Sequence, residues 1–384
     1  MKIIMDLLLS EEERMVREQT RRFAEKELGP IAEEIDENER FPMEVYKKAG
    51  ENGLLGPTVP VEYGGGGADI LTNALIKEEF SRVAAGFGMS VNVCTTNYSS
   101  FLSRYGTEEQ KRKFIAPVIQ GDELASFGLT EPEAGSDALA LKTSYKKKGD
   151  RYILNGRKTF ITNAPLAKYF LIVARKEGTE GAKGGTVFIL ERGAPGLATG
   201  KPFKKMGMRC SPTGEVFLDN VEASEDCILG GEGNGFKIMF ETLDEERILS
   251  AITGIGISQA CIEAVVKYSK ERIQFKRPIS SFQMVQDMIA KMAAQLCIAR
   301  QYVYSLCPLV KRGIRLTKEA SIAKYFATDM ASKIGLDAVQ ILGGYGYMRE
   351  YAVERYMRDA KLVTIGGGTS EIQKLIIARE LLKE

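Results

Sequence analysis

Two stretches of this sequence carry residue types suited to chemistry, a glycine loop near the C-terminus and an acidic turn far upstream. The loop Gly366-Gly-Gly-Thr-Ser370 opens a helix, and its bare backbone and hydroxyl N-caps suit a phosphate, a ribose or a thioester, although a plain loop is equally compatible. The acidic turn is Leu243-Asp-Glu-Glu-Arg247. Because the chain contains no histidine, any general base must be another side chain, and a carboxylate is the first candidate.

Glu246 is the carboxylate in that turn whose position best suits a base. It follows Met239 by seven residues and Leu243 by three, and it precedes Ser250 by four, so it lies along the apolar face of a helix while Glu245 points elsewhere. A carboxylate on an apolar face loses solvation, which raises its pKa and makes it more basic. The alternative is a surface acid that pairs with a lysine.

The bulk composition is that of an ordinary globular protein and argues against several function classes. The 384 residues include 53 Lys and Arg against 51 Asp and Glu, a balance that disfavours a nucleic-acid surface or a binder of anionic membranes. No apolar run approaches the ~20 residues of a membrane span, and the N-terminal run Met1-Lys-Ile-Ile-Met-Asp6 lacks a signal-peptide core. The cysteines show no Cys-x-x-Cys spacing. We therefore predict a cytoplasmic protein without a metal site.

Local patterns divide the chain into three regions, predicted at residues 1–120, 121–228 and 229–384. The first is predicted to be helical, with a capping box at Ser10 and further helix starts near Pro42, Ala68 and Thr107. The second consists of short β-rich segments, in which Asn155-Gly156 predicts a type I′ hairpin turn. The third is again helical, and its glycine motifs lack the βαβ pattern of a dinucleotide-binding fold.

The C-terminal stretch Gly367-Gly-Thr-Ser-Glu-Ile-Gln373, followed by a helix that contains Ala378-Arg-Glu380, resembles the signature of the acyl-CoA dehydrogenases. These flavoenzymes oxidise the Cα–Cβ bond of acyl thioesters. Further family patterns recur in order, so the resemblance covers nearly all of the chain. It implies an α+β multidomain fold with an N-terminal α-helical domain, a middle β-barrel-like domain and a C-terminal four-helix bundle.

The resemblance also implies FAD as the cofactor. Residues 127–137 and 160–163 are similar to the family's flavin-contacting stretches, and Arg272 matches a residue that would neutralise the FAD pyrophosphate. The segment Gln340-Ile-Leu-Gly-Gly344 is similar to one that holds the FAD of a neighbouring subunit, which implies a homo-oligomer, usually a dimer of dimers. The residues predicted to bind FAD are Phe127, Leu129, Thr130, Gly135, Ser136, Phe160, Thr162, Arg272, Phe275, Gln283, Gln340, Gly343, Gly344, Thr369 and Glu371.

The family comparison sharpens the hypothesis for the base. Most members place the catalytic Glu immediately before Gly-Thr, where this chain has Gly367. A minority, including the isovaleryl-CoA and long-chain enzymes, carries it before the Arg of the upstream turn, which here is Glu246. The resemblance therefore implies that Glu246 takes the α-proton while the hydride from Cβ passes to flavin N5.

The absence of a side chain at Gly366 and Gly367 also bears on the substrate, because it leaves room beside Cα and Cβ for a branch or a ring. We predict a short branched, cyclic or aryl-bearing acyl-CoA. Asn92 and Thr96 lie on the helix that forms the floor of the acyl pocket in the family, although hydrogen bonding inside the core explains them equally well. The predicted substrate-contacting residues are Ser136, Asp244, Arg247, Gly366, Gly367, Asn92 and Thr96.

Several alternatives remain open at this point. Relatives without the usual Glu catalyse elimination, decarboxylation or desulfination without taking an α-proton, and that reading would make Glu246 dispensable. A flavin- or CoA-binding protein without turnover and an oxidase are also compatible with the pattern. Electron-transferring flavoprotein is the electron acceptor that the resemblance implies.

Overall fold

The computed structural model describes residues 9–383, which form an N-terminal helical region, a middle sheet region and a C-terminal helical region. This order confirms the predicted α+β multidomain class. The boundaries near residues 120 and 228 remain predictions. The N-terminal run Met1-Lys-Ile-Ile-Met-Asp6, which entered the prediction of a cytoplasmic location, lies outside the described residues.

The described part of the N-terminal region contains eight α-helices, four of which begin at or near the predicted starts. Their bounds are α1 Glu11–Phe23, α2 Ala32–Glu37, α3 Met43–Glu51, α4 Ile70–Val83, α5 Ala85–Asn92, α6 Phe101–Tyr105, α7 Glu108–Phe114 and α8 Ala116–Ile119. Ser10 forms a capping box at the start of α1, and Thr107 forms another at the start of α7. Pro42 precedes α3, and Asp69 caps α4. A π-helical segment, Val93–Ser100, continues α5.

The middle region is an eight-stranded sheet with strand order β6-β7-β3-β2-β4-β5-β8, and β1 pairs with β4 in parallel. The strands are β1 Ala125–Gly128, β2 Ser144–Lys148, β3 Arg151–Thr162, β4 Tyr169–Lys176, β5 Gly185–Glu191, β6 Leu197–Thr199, β7 Thr213–Ala223 and β8 Ile228–Leu229. Most neighbouring pairs are antiparallel, and the inward side chains of β4 and β5 are fully buried.

The predicted hairpin turn at Asn155-Gly156 is wrong. Strand β3 runs through this dipeptide, and the turn that joins β2 to β3 lies at Gly149-Asp150. The pairing of β3 with β7 shifts register between Leu154 and Gly156, which marks a bulge. A Cβ on Gly156 would lie 2.7 Å from the Cα of Thr143, so this glycine permits a close approach of two backbones instead of a turn.

The C-terminal region is dominated by three long helices, α9 Gly235–Glu271, α10 Gln283–Lys311 and α11 Thr317–Leu342. A short hairpin of β9 Ile273–Gln274 and β10 Arg277–Pro278 joins α9 to α10, and α12 Val353–Val363 and α13 Ser370–Leu381 follow. Among the described residues, α9 is the one helix long and apolar enough to cross a membrane, but it is mostly buried inside the protein.

Helix α4 joins the N-terminal and C-terminal regions, because it packs against α1, α5 and α9. Its acidic residues are buried and paired. Glu78 accepts hydrogen bonds from the guanidinium of Arg300 and the hydroxyl of Tyr304, both at 2.7 Å, and Glu79 accepts one from Arg82 at 2.9 Å. Buried charges are tolerated when they are paired and hydrogen-bonded. These contacts fix α4 against α10 and so position the residues on its other faces.

Candidate active site

Glu246 lies on α9 and is half-buried. Burial raises the pKa of its carboxyl group, while the charges of Lys77 and Arg247, hydrogen bonding with Asn97 and the charge of Lys324 lower it. The balance is upward, so the carboxylate is more basic than an exposed glutamate. A carboxylate with a raised pKa suits the abstraction of a weakly acidic proton.

The glycine loop of residues 366–368 lies directly beside this carboxylate. A Cβ on Gly367 would be 3.7 Å from Oε1 of Glu246 and 3.3 Å from Oγ of Ser250. A longer side chain at position 367 would therefore extend into the space that the Glu246 carboxylate reaches. The two positions considered for the base, Glu246 on α9 and Gly367 in the loop before α13, therefore lie close together in space although they are far apart in sequence.

Side chains from two helices hold the glycine loop in place. The Nζ of Lys324 on α11 donates to the carbonyl of Gly368 at 2.5 Å, and the amide of Gln373 donates to the same oxygen at 3.1 Å. Thr369 caps α13 by accepting the backbone N–H of Ile372 at 3.3 Å. Burial lowers the pKa of Lys324 to about 8. The loop is thus fixed relative to α9 and α11.

The residues that flank Glu246 form ion pairs and hydrogen bonds within the protein. Glu245 accepts two hydrogen bonds of 2.6 Å from Arg104, so its carboxylate is neutralised on the opposite side of α9. Asp244 accepts one bond from Arg247 and another from the backbone N–H of Leu316, each at 3.0 Å. Asp244 and Arg247 therefore tie α9 to the start of α11, and their predicted contacts with the substrate stay a prediction.

The polar residues on the predicted floor of the acyl pocket form a chain of hydrogen bonds. Asn73 on α4 donates to Thr96 at 3.2 Å, Thr96 donates to Asn92 at 3.2 Å, and Asn92 donates to Asn97 at 3.4 Å. Asn97 in turn hydrogen-bonds with Glu246 and lowers its pKa. Asn92 and Thr96 thus already have partners within the protein, and the chain leads from α4 to the candidate base.

Lys77, which lies one turn after Asn73 on α4, is not predicted from the sequence. Its side chain is buried, and its Nζ has no hydrogen-bond partner. A Lys-Glu-Glu run is typical of a solvated helix face, so the sequence contained no signal for this placement.

The two segments predicted to contact the flavin lie side by side. The backbone N–H of Thr159 donates to the carbonyl of Thr130 at 2.9 Å, and the hydroxyl of Ser126 donates to the carbonyl of Thr162 at 2.9 Å. Phe160, at the end of β3, leaves 68% of its surface exposed and offers a flat apolar surface. The remaining predicted residues here are Phe127 and Leu129, which are half-buried, and Gly135 and Ser136, which are exposed.

A buried ion pair between Lys158 and Glu131 holds the two predicted flavin-contacting segments together. The Nζ of Lys158 donates to the carbonyl of Leu129 at 3.1 Å and to the carboxylate of Glu131 at 2.7 Å. Glu131 also accepts the backbone N–H groups of Lys142 and Thr143. Burial lowers the pKa of Lys158 to about 8, whereas for Glu131 the attraction of Lys158 and these hydrogen bonds outweigh burial and lower the pKa.

Lys158→Met should destabilise the protein by about 3–5 kcal/mol, because it leaves the Glu131 carboxylate buried without its cation. Urea denaturation followed by circular dichroism measures this loss. The control is Lys142→Met, which breaks an exposed pair with Glu133 and should cost no more than ~1 kcal/mol. A second change, Glu131→Gln, should restore part of the stability of Lys158→Met. Equal stability of the two lysine variants would contradict the role of this pair.

A groove of about 510 Å³ lies where the end of α9 meets the end of α11. Arg272, Gly343 and Gly344 line it, together with Tyr345, whose ring centre lies 5.2 Å from the Arg272 guanidinium carbon. An arginine beside bare glycine backbone suits a pyrophosphate. The other predicted FAD residues outside the sheet region are exposed in the single chain: Phe275, Gln283, Gln340 and Glu371.

Comparison with known proteins decides the family. Models of the acyl-CoA dehydrogenase N-terminal, middle and C-terminal domains match residues 10–122, 126–221 and 233–382, respectively. The chain belongs to the acyl-CoA dehydrogenase family. It is therefore a flavoprotein oxidoreductase with the three-domain fold that the family members share.

Individual relatives span the whole chain. An acyl-CoA dehydrogenase of Bacillus subtilis is 44% identical over 374 residues, which cover 97% of this chain and 99% of the relative. A 3-(aryl)acrylate reductase of Clostridium sporogenes is 42% identical, with 98% and 100% covered. A chain of a solved structure described as the electron transferring flavoprotein of Acidaminococcus fermentans superposes with a TM-score of 0.95 at 43% identity, with 98% and 99% covered.

Proposed function

We propose that this acyl-CoA dehydrogenase family member binds FAD and forms a Cα=Cβ double bond in an acyl-CoA thioester, with Glu246 as the base that accepts the α-proton. The observation that carries this proposal is the distance of 3.7 Å between a Cβ placed on Gly367 and Oε1 of Glu246. This distance supports a role for Glu246 as the base at the position where most family members use a glutamate of the glycine loop. The exposed Phe160 and the groove at Arg272 suit the flavin ring and the pyrophosphate of FAD.

Each part of the site has one task in this mechanism. Bound FAD supplies the acceptor for the hydride that leaves Cβ. The backbone N–H of Gly366 donates to the carbonyl of Leu362, so the N–H groups of Gly367 and Gly368 are the loop donors left to polarise the thioester carbonyl and so acidify the α-proton. Glu246 holds that proton on its carboxylate after abstraction, and Asn97 orients the carboxylate through their hydrogen bond. Lys324 keeps the loop at the required distance by binding the carbonyl of Gly368.

Flavin reduction by an acyl-CoA should become faster as pH rises, because the base must be deprotonated before it can accept a proton. Burial raises the pKa of Glu246, so the midpoint of this rise should lie above the ordinary glutamate value of 4.5. Anaerobic stopped-flow reduction at a series of pH values measures the midpoint. A rate that stays constant from about pH 5 to 8 would contradict the assignment.

The glycine pair at 366 and 367 supports a short branched, cyclic or aryl-bearing acyl group, because neither of these two positions carries a side chain that would occupy the space proposed beside Cα and Cβ. The name of the 3-(aryl)acrylate reductase relative is consistent with an aryl group. That name also favours a second candidate function, reduction of the same double bond. Glu246 would then donate its proton to Cα, which the same geometry permits.

We also infer an electron acceptor, an oligomeric state and a cellular location for this protein. We expect electron-transferring flavoprotein as the electron acceptor, supported by the description of the similar Acidaminococcus structure. A homo-oligomer, a dimer of dimers, is supported by apolar side chains that the single chain leaves exposed in the C-terminal region, including Phe275 at 87% and Met284 at 83%. The six free cysteines, four of them buried, suit the reducing cytoplasm.

The test is anaerobic bleaching of the bound flavin by a panel of straight, branched, cyclic, aryl and dicarboxylic acyl-CoAs. Rapid bleaching by a branched, cyclic or aryl thioester is the expected result. Bleaching by straight-chain thioesters alone would overturn the substrate assignment. Binding of the thioesters without bleaching would favour elimination, decarboxylation, desulfination or a role without turnover, and fast reoxidation by oxygen would identify an oxidase.

A further inference from the structure

Three polar residues of α4 lie on one buried face, because they follow one another at intervals of four residues. Asn73, Lys77 and Ser81 expose only 5%, 4% and 1% of their surface. Asn73 contacts the π-helical segment through Thr96, and a Cβ on Gly88 of α5 would lie 3.0 Å from Oγ of Ser81. The face that carries Lys77 is therefore turned toward α5 and its π-helical continuation, the predicted floor of the acyl pocket.

The Nζ of Lys77 has no hydrogen-bond partner in this setting. The two glutamates that follow it cannot serve, because Glu78 binds Arg300 and Tyr304 and Glu79 binds Arg82. Burial lowers the pKa of Lys77 to about 7, and the charge of Glu246 opposes this shift. A buried amine without a hydrogen-bond partner lowers the stability of the folded protein. Such destabilising groups are found mainly at functional sites, so Lys77 is a candidate for binding a ligand.

The polar side chains that Asn73 meets at the π-helical segment already have hydrogen-bond donors. Thr96 accepts from Asn73, Asn92 accepts from Thr96, and Asn97 accepts from Asn92. The side-chain oxygens of Thr96, Asn92 and Asn97 thus each accept one hydrogen bond. These oxygens are therefore engaged within the protein, and Lys77 is a buried donor without a partner in the described part of the chain.

Lys77 lies near enough to the candidate base for its charge to lower the pKa of Glu246. Glu246 interacts electrostatically with Lys324, which holds the glycine loop, and with Lys77 on α4. Among the described contacts Glu246 forms an ion pair with neither lysine, so Nζ of Lys77 stands apart from the carboxylate. An acyl chain that runs past Glu246 from the glycine loop toward α4 would bring its atoms beyond Cβ to Lys77.

We propose that Lys77 selects acyl-CoA substrates whose acyl group carries an oxygen acceptor beyond Cβ. This inference rests on the proposed function, because the role of Glu246 fixes where Cα lies. The acceptor is a hydroxyl, a carbonyl or a carboxylate oxygen, since each accepts a hydrogen bond from an amine. A carboxylate would bind the protonated amine as an ion pair, whereas a hydroxyl or a carbonyl would bind either form.

The experiment compares dissociation constants for matched acyl-CoA pairs, read from the perturbation of the flavin absorbance of the holoenzyme. The first pair is 3-(4-hydroxyphenyl)propionyl-CoA and 3-phenylpropionyl-CoA, and the second is glutaryl-CoA and pentanoyl-CoA. In the parent protein, the oxygen-bearing member of at least one pair should bind about ten- to a hundredfold more tightly. Which pair shows the preference separates a neutral oxygen from a carboxylate.

Two variants of the lysine complete the design. Lys77→Met should abolish the preference by weakening only the oxygen-bearing thioester, and Lys77→Gln should keep a preference for the hydroxyl while losing any for the carboxylate. The thermal midpoint of Lys77→Met should equal or exceed that of the parent, because the variant removes an unpartnered buried amine. Lys77→Gln keeps the test decisive if the methionine variant fails to bind FAD.

Three outcomes would overturn the inference. The parent protein could show no preference within either pair. Lys77→Met could weaken both members of each pair equally, or it could shift the pH midpoint of flavin reduction without changing selectivity, which would make Lys77 a counter-ion of Glu246. Because binding is measured apart from turnover, thioesters that bind selectively but never bleach the flavin would refute the dehydrogenase proposal and leave this one standing.

Discussion

Glu246→Gln should slow the reduction of bound flavin by an acyl-CoA about 10²- to 10⁴-fold, the range that removal of a general base typically costs. The amide keeps the size of the side chain and its hydrogen bonding with Asn97 but cannot accept the α-proton. Binding of the thioester should change little, so the loss should appear in the rate constant at saturation. Anaerobic stopped-flow absorbance measures both quantities in one experiment.

The neighbouring residue provides a matched control. Glu245→Gln changes the same chemical group one position earlier, where the carboxylate pairs with Arg104 on the other side of α9. This pair is partly exposed, so its loss should cost no more than ~1 kcal/mol of stability and leave flavin reduction within a few-fold of the parent. If flavin reduction in both Glu246→Gln and Glu245→Gln were as fast as in the parent, neither residue would be the base. A reaction without proton abstraction would then become the leading candidate.

Glu246→Ala combined with Gly367→Glu should reduce flavin faster than Glu246→Ala alone. The glycine loop lies close enough to the Glu246 carboxylate for a glutamate at 367 to reach the same substrate proton. Recovery should be partial, because Gly367 has a φ of +65°, a conformation that costs a residue with a side chain roughly 1–2 kcal/mol. Single-turnover flavin reduction by the best substrate of the parent measures the gain.

The single variant Gly367→Glu distinguishes the effect of a second carboxylate on the pKa of the base from the effect of backbone strain at position 367. It places two carboxylates in one site, and two close negative charges raise the pKa of one of them. Its flavin reduction should therefore be slower than that of the parent at neutral pH and approach the parent rate as pH increases. A double variant no faster than Glu246→Ala would show that the loop and α9 do not present a base to the same atom.

Local signals in the sequence predicted much of the helical framework. The predicted capping box at Ser10 starts α1, and α7 starts after Thr107 as predicted, because these signals depend only on residues close in sequence. The position of Glu246 on the buried side of α9 also followed from spacing, since 3.6 residues per turn fix which side chains share a face. Local patterns also gave the order of the three regions, and the family resemblance implied the same order.

Features that depend on distant parts of the chain could not be predicted in this way. Asn155-Gly156 has the composition of a hairpin turn, but β3 continues through it because Thr143 on the neighbouring segment approaches the glycine backbone. Lys77 belongs to a charged run that resembles a solvated helix face, yet α4 is enclosed by α1, α5 and α9. Burial of such a run becomes visible only when partners such as Arg300, more than two hundred residues away, are placed.

The supply of the carboxylate by α9 has a consequence for how this protein can diversify. A loop that carries the base must keep one residue type and one backbone conformation whatever the substrate. Here residues 366–368 contribute backbone alone, and the carboxylate comes from the interior of a long helix. With Glu246 as the proposed base, substitutions in the loop would reshape the space around the acyl group without removing the proton acceptor, so specificity and reactivity would be free to evolve as separate traits.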